Sequence, residues 1–522
     1  MVEQAFLCGS RRFEYAGPEN ILSLDFMKGP YFTDRDMRLL NHILKFSQAK
    51  NTQLYIVGGF LRDIILGRLR TNLDIDFAIK RNAIEFASGL AKKLSAGFVV
   101  LDKVNGCARL VKRSQGRVYT LDFTDFRGKD LWQDLSRRDF SINTLAVELK
   151  TFLDNAGKSD KARFRSFNNH LIDPYYGLRD LRRGIIKTVS PSAFDDDPLR
   201  ILRTFSLSCI LNFKIEPKTL GLVKKKRIKL KSVSYERIRD ELFKILASPR
   251  SYEFLSRLGR YRLLELIIPE IKAMHRLNQG PYHHLDVWQH TLETINQLEK
   301  IISHSVHNQD IQDYLSQEIS SGRHRCELVK LGGLLHDIGK PKTLRIEEGK
   351  IMFHGHEREG SDMLQEIAGR LKLSNEETGV LKKMIRFHLR PGYLADSPVL
   401  TPRAKFRFFR DAAEESVSVL LISLADQRAT KGYLTTQESR QRHERVVRRL
   451  IKEYFQKKKQ KKPARLINGH DLMKRFRLEP SPLIGRVLSE IEEAQAIGKI
   501  QTKMEAIKIA EGIIKRRKNE RS

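Results

Sequence analysis

Residues 54–79 read LYIVGGFLRDIILGRLRTNLDIDFAI, and the patterning inside this stretch decides the fold of the amino-terminal part. Leu54–Val57 is a short apolar run that reads as a buried strand. Gly58–Gly59 reads as a tight turn, where backbone approaches a phosphate without interference from a Cβ. The apolar run Leu61–Leu66 suits a short helix with Arg62 and Asp63 at its start. Leu73–Phe77 then alternates as a strand, which points Asp74 and Asp76 to one face. Two parallel carboxylates repel each other and favour a divalent cation beside them. Magnesium takes one or two carboxylates and fills its shell with phosphate oxygens. A third carboxylate, Asp122, lies in VYTLDFTDF at 118–126, an alternating run that could lie alongside. An isolated Asp-x-Asp is also the wet face of an edge strand, but the preceding GG-x-x-RD-x-x-LG argues against that reading here.

Outward from this stretch, the 522 residues allow three or four domains. The expected division is a leader at 1–31, a mixed α/β head at 32–150 and a helical neck and body at 151–272. A helical, histidine-bearing region follows at 273–451, then a basic linker and helical tail at 452–522. The fold class expected is α+β. Lys and Arg number 96 against 63 Asp and Glu, a net charge of +33, which attracts polyanions, nucleic acid first among them. Cys8, Cys107, Cys209 and Cys326 are scattered with no CxxC pair, which suggests neither a disulfide framework nor a zinc ribbon. No signal-peptide pattern opens the chain and no apolar run approaches the roughly 18 residues of a membrane span. A cytoplasmic protein without membrane contact is expected.

Several further segments extend the pattern. Asp134-Leu-Ser-Arg-Arg-Asp-Phe-Ser-Ile-Asn143 is rich in phosphate-suited arginine forks. Asp196-Asp197-Pro-Leu-Arg200-Ile-Leu-Arg203 places Asp197 and Arg200 three apart, facing one base if both lie on a helix, or forming a plain intrahelical ion pair. With the 54–79 motif, these segments resemble the class II tRNA nucleotidyltransferase and bacterial poly(A) polymerase family. The resemblance covers about Phe32 to Ile513, including LINGHDLM and PSPLIGRVL near the carboxyl end. It implies Mg2+ on Asp74 and Asp76 with Asp122 as a further catalytic carboxylate. It implies nucleotide contacts from Gly58, Gly59, Arg62, Asp63, Arg137, Arg138, Asp139 and Asn143, and from Asp196, Asp197, Arg200 and Arg203. CTP and ATP would be the substrates and a tRNA acceptor end the partner. Ser234–Leu242 resembles the family's SxERIxxEL helix, read as a brace for the neck.

Two departures stand out. Asp196 occupies a position where the family usually has glutamate. Only six residues separate Arg127 from Asp134, where many CCA-adding relatives carry a longer flexible loop. In that family the short form is associated with enzymes that add only CC. Poly(A) polymerase activity, A-only addition, a phosphohydrolase with a vestigial head and a non-catalytic RNA binder are the alternatives.

The second constellation is HHLDVWQHTL at 283–292, LLHDIGKPK at 334–342, FHGHEREG at 353–360, RFHLRPG at 386–392 and LADQRAT at 424–430. Together these resemble the HD phosphohydrolase superfamily. The resemblance implies metal ligands His290, His336, Asp337 and Asp426, with His356 and His388 as a second-metal or phosphate set. Imidazole with carboxylate suits Ni2+, Mn2+ or Co2+ as well as Mg2+. Lys340 follows the His-Asp pair at a distance that suits a phosphate. His283, His284 and His354 read as surface or core histidines. The runs Lys224–Lys231, Lys457–Lys462 and Lys515–Lys518 are read as salt-sensitive RNA contacts or as solvated segments.

Overall fold

A computed structural model describes residues 33–68, 72–156, 170–460 and 464–519. The leader expected at 1–31 lies outside these. The described residues form two compact units, one running to Ser248 and including Arg257–Ile267, the other made of Pro249–Ser256 and the described residues from Ile268 onward.

The first unit is built on a six-stranded sheet. Its strands are β1 (Leu54–Val57), β2 (Leu73–Ile79), β3 (Gly97–Asp102), β4 (Cys107–Ser114), β5 (Arg117–Asp125) and β6 (Ala146–Glu148), in the order β3-β4-β5-β2-β1-β6. Only β2 and β5 run parallel, and their register sets Asp76 opposite Asp122 and Phe77 opposite Phe123. Alternation therefore sends the aspartates to one face and the phenylalanines to the other. On the apolar face Phe77 and Phe123 stack with ring centroids 4.9 Å apart. Helix Ala83–Leu94 covers them, because Ala83, Phe86, Ala87, Leu90, Ala91 and Leu94 recur at three- and four-residue spacing and are buried.

On the carboxylate face, the short helix Leu131–Ser136 buries Leu131 and Leu135 against Val57, Ala78 and Ala146. Asp130 caps that helix by accepting from the Gln133 N–H at 2.9 Å. The neck of this unit is helical, as the spacing predicts. Helices Arg200–Leu211 and Tyr235–Leu246 pack together, and the Ser206 hydroxyl donates to buried Glu241.

The second unit is mainly helical, with two small hairpins, Glu318–Ser320 with Arg323–His324 and Arg345–Glu347 with Lys350–Met352, that helical periodicity does not predict. Helix Ser416–Ala429 has its first ten residues, Ser416–Ala425, buried. It packs closely against Val287–His304 and Gln437–Lys459. Lys457–Lys459, expected to open a linker, form the last turn of helix Gln437–Lys459 instead; the rest of that helix is amphipathic and carries them on. The carboxyl-terminal helices Gly469–Phe476, Pro482–Ala496 and Lys503–Asn519 close a core of their own around Leu472, Val487, Ile491, Ala506 and Ala510. Among the described residues, no helix is long and apolar enough to cross a membrane.

The stacked phenylalanines hold β2 and β5 in the register that pairs the aspartates. Phe77→Ala is expected to cost the first unit about 3–5 kcal/mol, seen as a lowered urea midpoint. A midpoint shift corresponding to under ~1 kcal/mol would show that the register does not rest on this pair.

Candidate active site and candidate metal centre

Gly58 sits at the end of β1 with φ +80°, a backbone conformation suited to glycine. A Cβ there would lie 3.0 Å from Asp76 Oδ2 and 3.3 Å from Arg138 Nη1, so the turn leaves no space for a side chain beside the carboxylate. Helix Leu131–Ser136 ends directly before Arg137 and Arg138, which explains how Arg138 arrives here. Its Nε donates to buried Asp134 at 3.1 Å, fixing the guanidinium. Arg62, on helix Gly59–Ile65, donates through Nε and Nη2 to Asp63 at 2.8 and 2.9 Å and through Nη1 to Asn143 at 2.8 Å. Asn143 in turn donates to Asp139 at 3.1 Å, and Arg203 lies 3.4 Å from the same carboxylate. Burial opposes the charge on Asp139, but Arg203 and Arg200 hold its carboxyl below the usual range.

Asp74 is exposed and Asp76 and Asp122 are half-buried on the same face. Asp122 is gripped by Arg109 of β4 through two hydrogen bonds of 2.8 and 2.7 Å. Burial pushes the Asp76 carboxyl up to about 6; Arg138 pulls it down, while Asp74 and Asp122 push it further up. Such crowding of carboxylates fits a hard divalent cation, which removes the repulsion.

Asp197 and Arg200 do not share a helix. Asp196 ends the short helix Ala193–Asp196, Asp197 is extended, Pro198 follows, and Arg200 opens the next helix. An intrahelical ion pair is thereby excluded, and Asp197 instead pairs with Arg237 at 2.8 Å. Arg200 is buried and donates to the carbonyls of Arg137 at 2.7 Å, Arg138 at 3.1 Å and Ala193 at 3.2 Å. It ties the arginine segment to the turn that carries Asp196 and Asp197, the latter both exposed or half-exposed.

In the second unit, six side chains from five helices converge. His290 lies on helix Val287–His304, His336 and Asp337 directly follow Arg325–Leu335, His356 opens His356–Arg370, His388 directly follows Asn375–Phe387, and Asp426 lies on Ser416–Ala429. They form two groups, His290 with His336 and Asp426, and Asp337 with His356 and His388. Asp337 faces both. Its Oδ2 is 3.2 Å from His336 Nε2 and 3.7 Å from His290 Nε2, while its Oδ1 is 3.3 Å from His356 Nε2 and 3.9 Å from His388 Nε2. His290 Nε2 and Asp426 Oδ1 are 2.9 Å apart.

The ring orientation has a common cause. The Nδ1 atoms of His336, His356 and His388 each lie 2.7–2.8 Å from the carbonyl three residues earlier, at Gly333, Phe353 and Ile385. With Nδ1–H donating there, the Nε2 lone pair is left facing inward, the arrangement of a metal-binding imidazole. His336 Nε2 is buried without a hydrogen-bond partner, an orphan that a cation would satisfy. Burial, with His336 and His356 beside it, depresses His388 to about 3, so its imidazole is neutral at pH 7. Gly339 permits the convergence: a Cβ there would meet the His356 carbonyl at 2.3 Å.

Sequence reasoning missed three residues at these sites. Lys340, expected to meet phosphate, donates to Asp337 at 2.7 Å and to Gln279 at 2.6 Å, and Gln279 carried no signal in the sequence. His283 packs edge-on against His290 with centroids 4.7 Å apart, and burial and Lys340 push it down to about 3. Its place beside His290 was signalled only by the repeated histidines of the segment. Arg109 was missed because its partner depends on strand register. His284 and His354 are exposed, as expected.

A mixed-sheet head bearing carboxylates beside a glycine turn, with arginines held over it, defines a nucleotidyltransferase. Comparison with known proteins extends this. Residues 54–187 match the poly(A) polymerase head domain, 212–274 the RNA- and SrmB-binding region of polymerase A, 287–431 the HD domain and 426–510 domain 2 of tRNA nucleotidyltransferase. An A-adding tRNA nucleotidyltransferase of Deinococcus radiodurans is 29% identical over 458 residues, 86% of this chain and 93% of that protein. A CC-adding tRNA nucleotidyltransferase of Synechocystis is 28% identical over 465 residues, 88% of this chain and 93% of that protein. The fold matches that of a Thermotoga maritima CCA-adding enzyme solved with tRNA, with TM-score 0.59 and 22% identity over 94% of this chain and 97% of that one. The chain belongs to the tRNA nucleotidyltransferase and poly(A) polymerase family, with an HD domain. Domains of both kinds use divalent metals.

Because the Asp76 carboxyl sits near 6, above its unfolded value, its ionisation opposes folding. The protonated form's contribution is complete below about pH 4 and is lost as pH rises through about 6. Asp76→Asn is therefore expected to stabilise the EDTA-treated protein at pH 7.5 by about 1–3 kcal/mol, with the gap narrowing by pH 5. A melting-temperature difference that stays constant over this range would show that Asp76 ionises normally.

Proposed function

We propose that the chain adds nucleotides to the 3′ end of tRNA, joining the terminal hydroxyl to the α-phosphate of CTP or ATP and releasing pyrophosphate. The observation that carries this reading is the row of Asp74, Asp76 and Asp122 beside the Gly58 turn and Arg138. In this reading Asp74 and Asp76 hold Mg2+, with Asp122 next to them. Bound magnesium supplies a lowered pKa for the attacking hydroxyl and neutralises charge on the leaving group. Gly58 and Gly59 bring backbone to the triphosphate, and Arg62, Arg137 and Arg138 bind its oxygens. Asp63 and Asn143 orient Arg62, Asp139 with Arg203 beside it holds Asn143, and Asp134 orients Arg138, so that this network lines the nucleotide's place. Asp196, Asp197 and Arg200 form the base-selecting corner, where fixed hydrogen bonds stand in for a template. Arg200 has three acceptors already and so couples that corner to Arg137 and Arg138.

A narrower reading, CC-only addition, is favoured by the segment between Arg127 and Asp134. Its six residues are two of bend, the cap Asp130 and the first three of helix Leu131–Ser136, which leaves no long flexible loop. The test is incorporation with Mg2+ on tRNA ending at the discriminator base, at C and at CC, each with CTP, ATP or both. Stopping at CC supports the narrow reading, and full CCA overturns it. The double variant Asp74→Ala, Asp76→Ala is expected to lose at least ~10³-fold in rate; undiminished CMP incorporation would sink the assignment.

The head at 32–150, neck at 151–272, HD region at 273–451 and tail at 452–522 are proposed as the functional divisions, working in the cytoplasm. For the HD region we propose two divalent ions, Ni2+, Mn2+, Co2+ or Mg2+. His290, His336 and Asp426 would hold one ion and His356 and His388 the other, with Asp337 shared between them. When bound, such ions supply a water activated against a phosphoester. Elemental analysis of dialysed protein is expected to find both ions lost in Asp337→Asn and one retained in His388→Ala. Equal metal content in wild type and Asp337→Asn would remove the shared-ligand reading.

A further inference from the structure

We infer that Arg109 is a positioning residue that sets Asp122 as the third carboxylate of the transferase row, an inference that rests on the role proposed for that row. Arg109 stands directly opposite Asp122 across the antiparallel β4–β5 pair, and Asp76 stands opposite Asp122 across the parallel β2–β5 pair. Opposite residues share a face, so Arg109, Asp122 and Asp76 form one line across three strands. Both Asp122 oxygens accept from the same guanidinium, Oδ1 from Nε at 2.8 Å and Oδ2 from Nη2 at 2.7 Å. This planar fork fixes the carboxylate's orientation as well as its charge.

Without it, Asp122 is a short side chain next to a like charge and turns away from Asp76. With it, each oxygen gives one lone pair to Arg109 and keeps another for a cation on the open side. A purely structural role explains the pair poorly. The Arg109 side chain is 40% exposed, and ion pairs of that exposure contribute little to folding. What the pair fixes is the one carboxylate that parallel register brings level with Asp76.

The test compares Arg109→Gln, Arg109→Lys, Asp122→Asn and the double variant Arg109→Gln, Asp122→Asn in the full chain. Arg109→Gln is expected to lower kcat for CMP incorporation about 10- to 100-fold, as loss of an orienting partner does, with KM for CTP within roughly threefold. Arg109→Lys, which makes one contact rather than two, recovers part of the loss. The double variant is no slower than Asp122→Asn alone, because Arg109 acts only through Asp122. Independently of turnover, Mn2+ binding is followed by electron paramagnetic resonance. The fraction of binding that Asp76→Asn removes is expected to weaken about tenfold in Arg109→Gln. Unchanged kcat and Mn2+ affinity in Arg109→Gln beside an impaired Asp122→Asn would overturn the inference, as would losses that multiply in the double variant. Full kcat in Asp122→Asn would instead overturn the underlying role of Asp122 in the row.

Discussion

Like charges held close together are the constraint on which the transferase head depends. Two carboxylates about 5 Å apart repel by roughly 3 kcal/mol at the effective dielectric of a protein surface, and here three share one face of a sheet. The sheet alone would not tolerate that. Arg109 grips Asp122 and Arg138, itself held by Asp134, faces Asp76. The glycine turn brings backbone, with no side chain, to within contact of the same carboxylate. On the opposite face the stacked phenylalanines and helix Ala83–Leu94 keep β2 and β5 from slipping, and a slip of one residue would exchange aspartates for phenylalanines.

The second centre solves the same problem with different side chains. Two carboxylates are surrounded by four imidazoles, of which burial keeps His388 neutral, and three of those rings are oriented by nearby backbone carbonyls three residues earlier. Asp337 can face both groups because it leaves the end of one helix at the centre of the bundle. Lys340 answers its charge from the next turn. Here function depends on where helices end: His336 and His388 each lie just past the last regular turn, and His356 at the start of one.

Much of the head was legible because strand alternation is a local property. Asp74 and Asp76 share a face for the same reason that Leu73, Ile75 and Phe77 share the other, and the turn at Gly58 follows from glycine's access to positive φ. The neck shows where local reading fails. Asp197 and Arg200 have helical spacing, but Pro198 has no N–H to donate to the preceding turn and its ring crowds that turn's carbonyl, so the helix breaks there. The lysines after Tyr454 read as a linker by composition, yet the helix before them continues because Lys is a good helix former and helix C-termini favour cations.

The sequence by itself determined the strand-turn-helix-strand around Gly58, the pairing of Asp74 with Asp76 and the set of histidines and aspartates in the second unit. All of these follow from periodicity within one element or from short motifs. Tertiary structure alone decided that Asp122 stands level with Asp76, that Arg109 holds it, that Arg200 ties two segments through three carbonyls and that Asp337 faces both histidine groups. Each of these joins residues far apart in the chain. Their partners are chosen by sheet register and helix packing, which depend on the whole core rather than on any one segment.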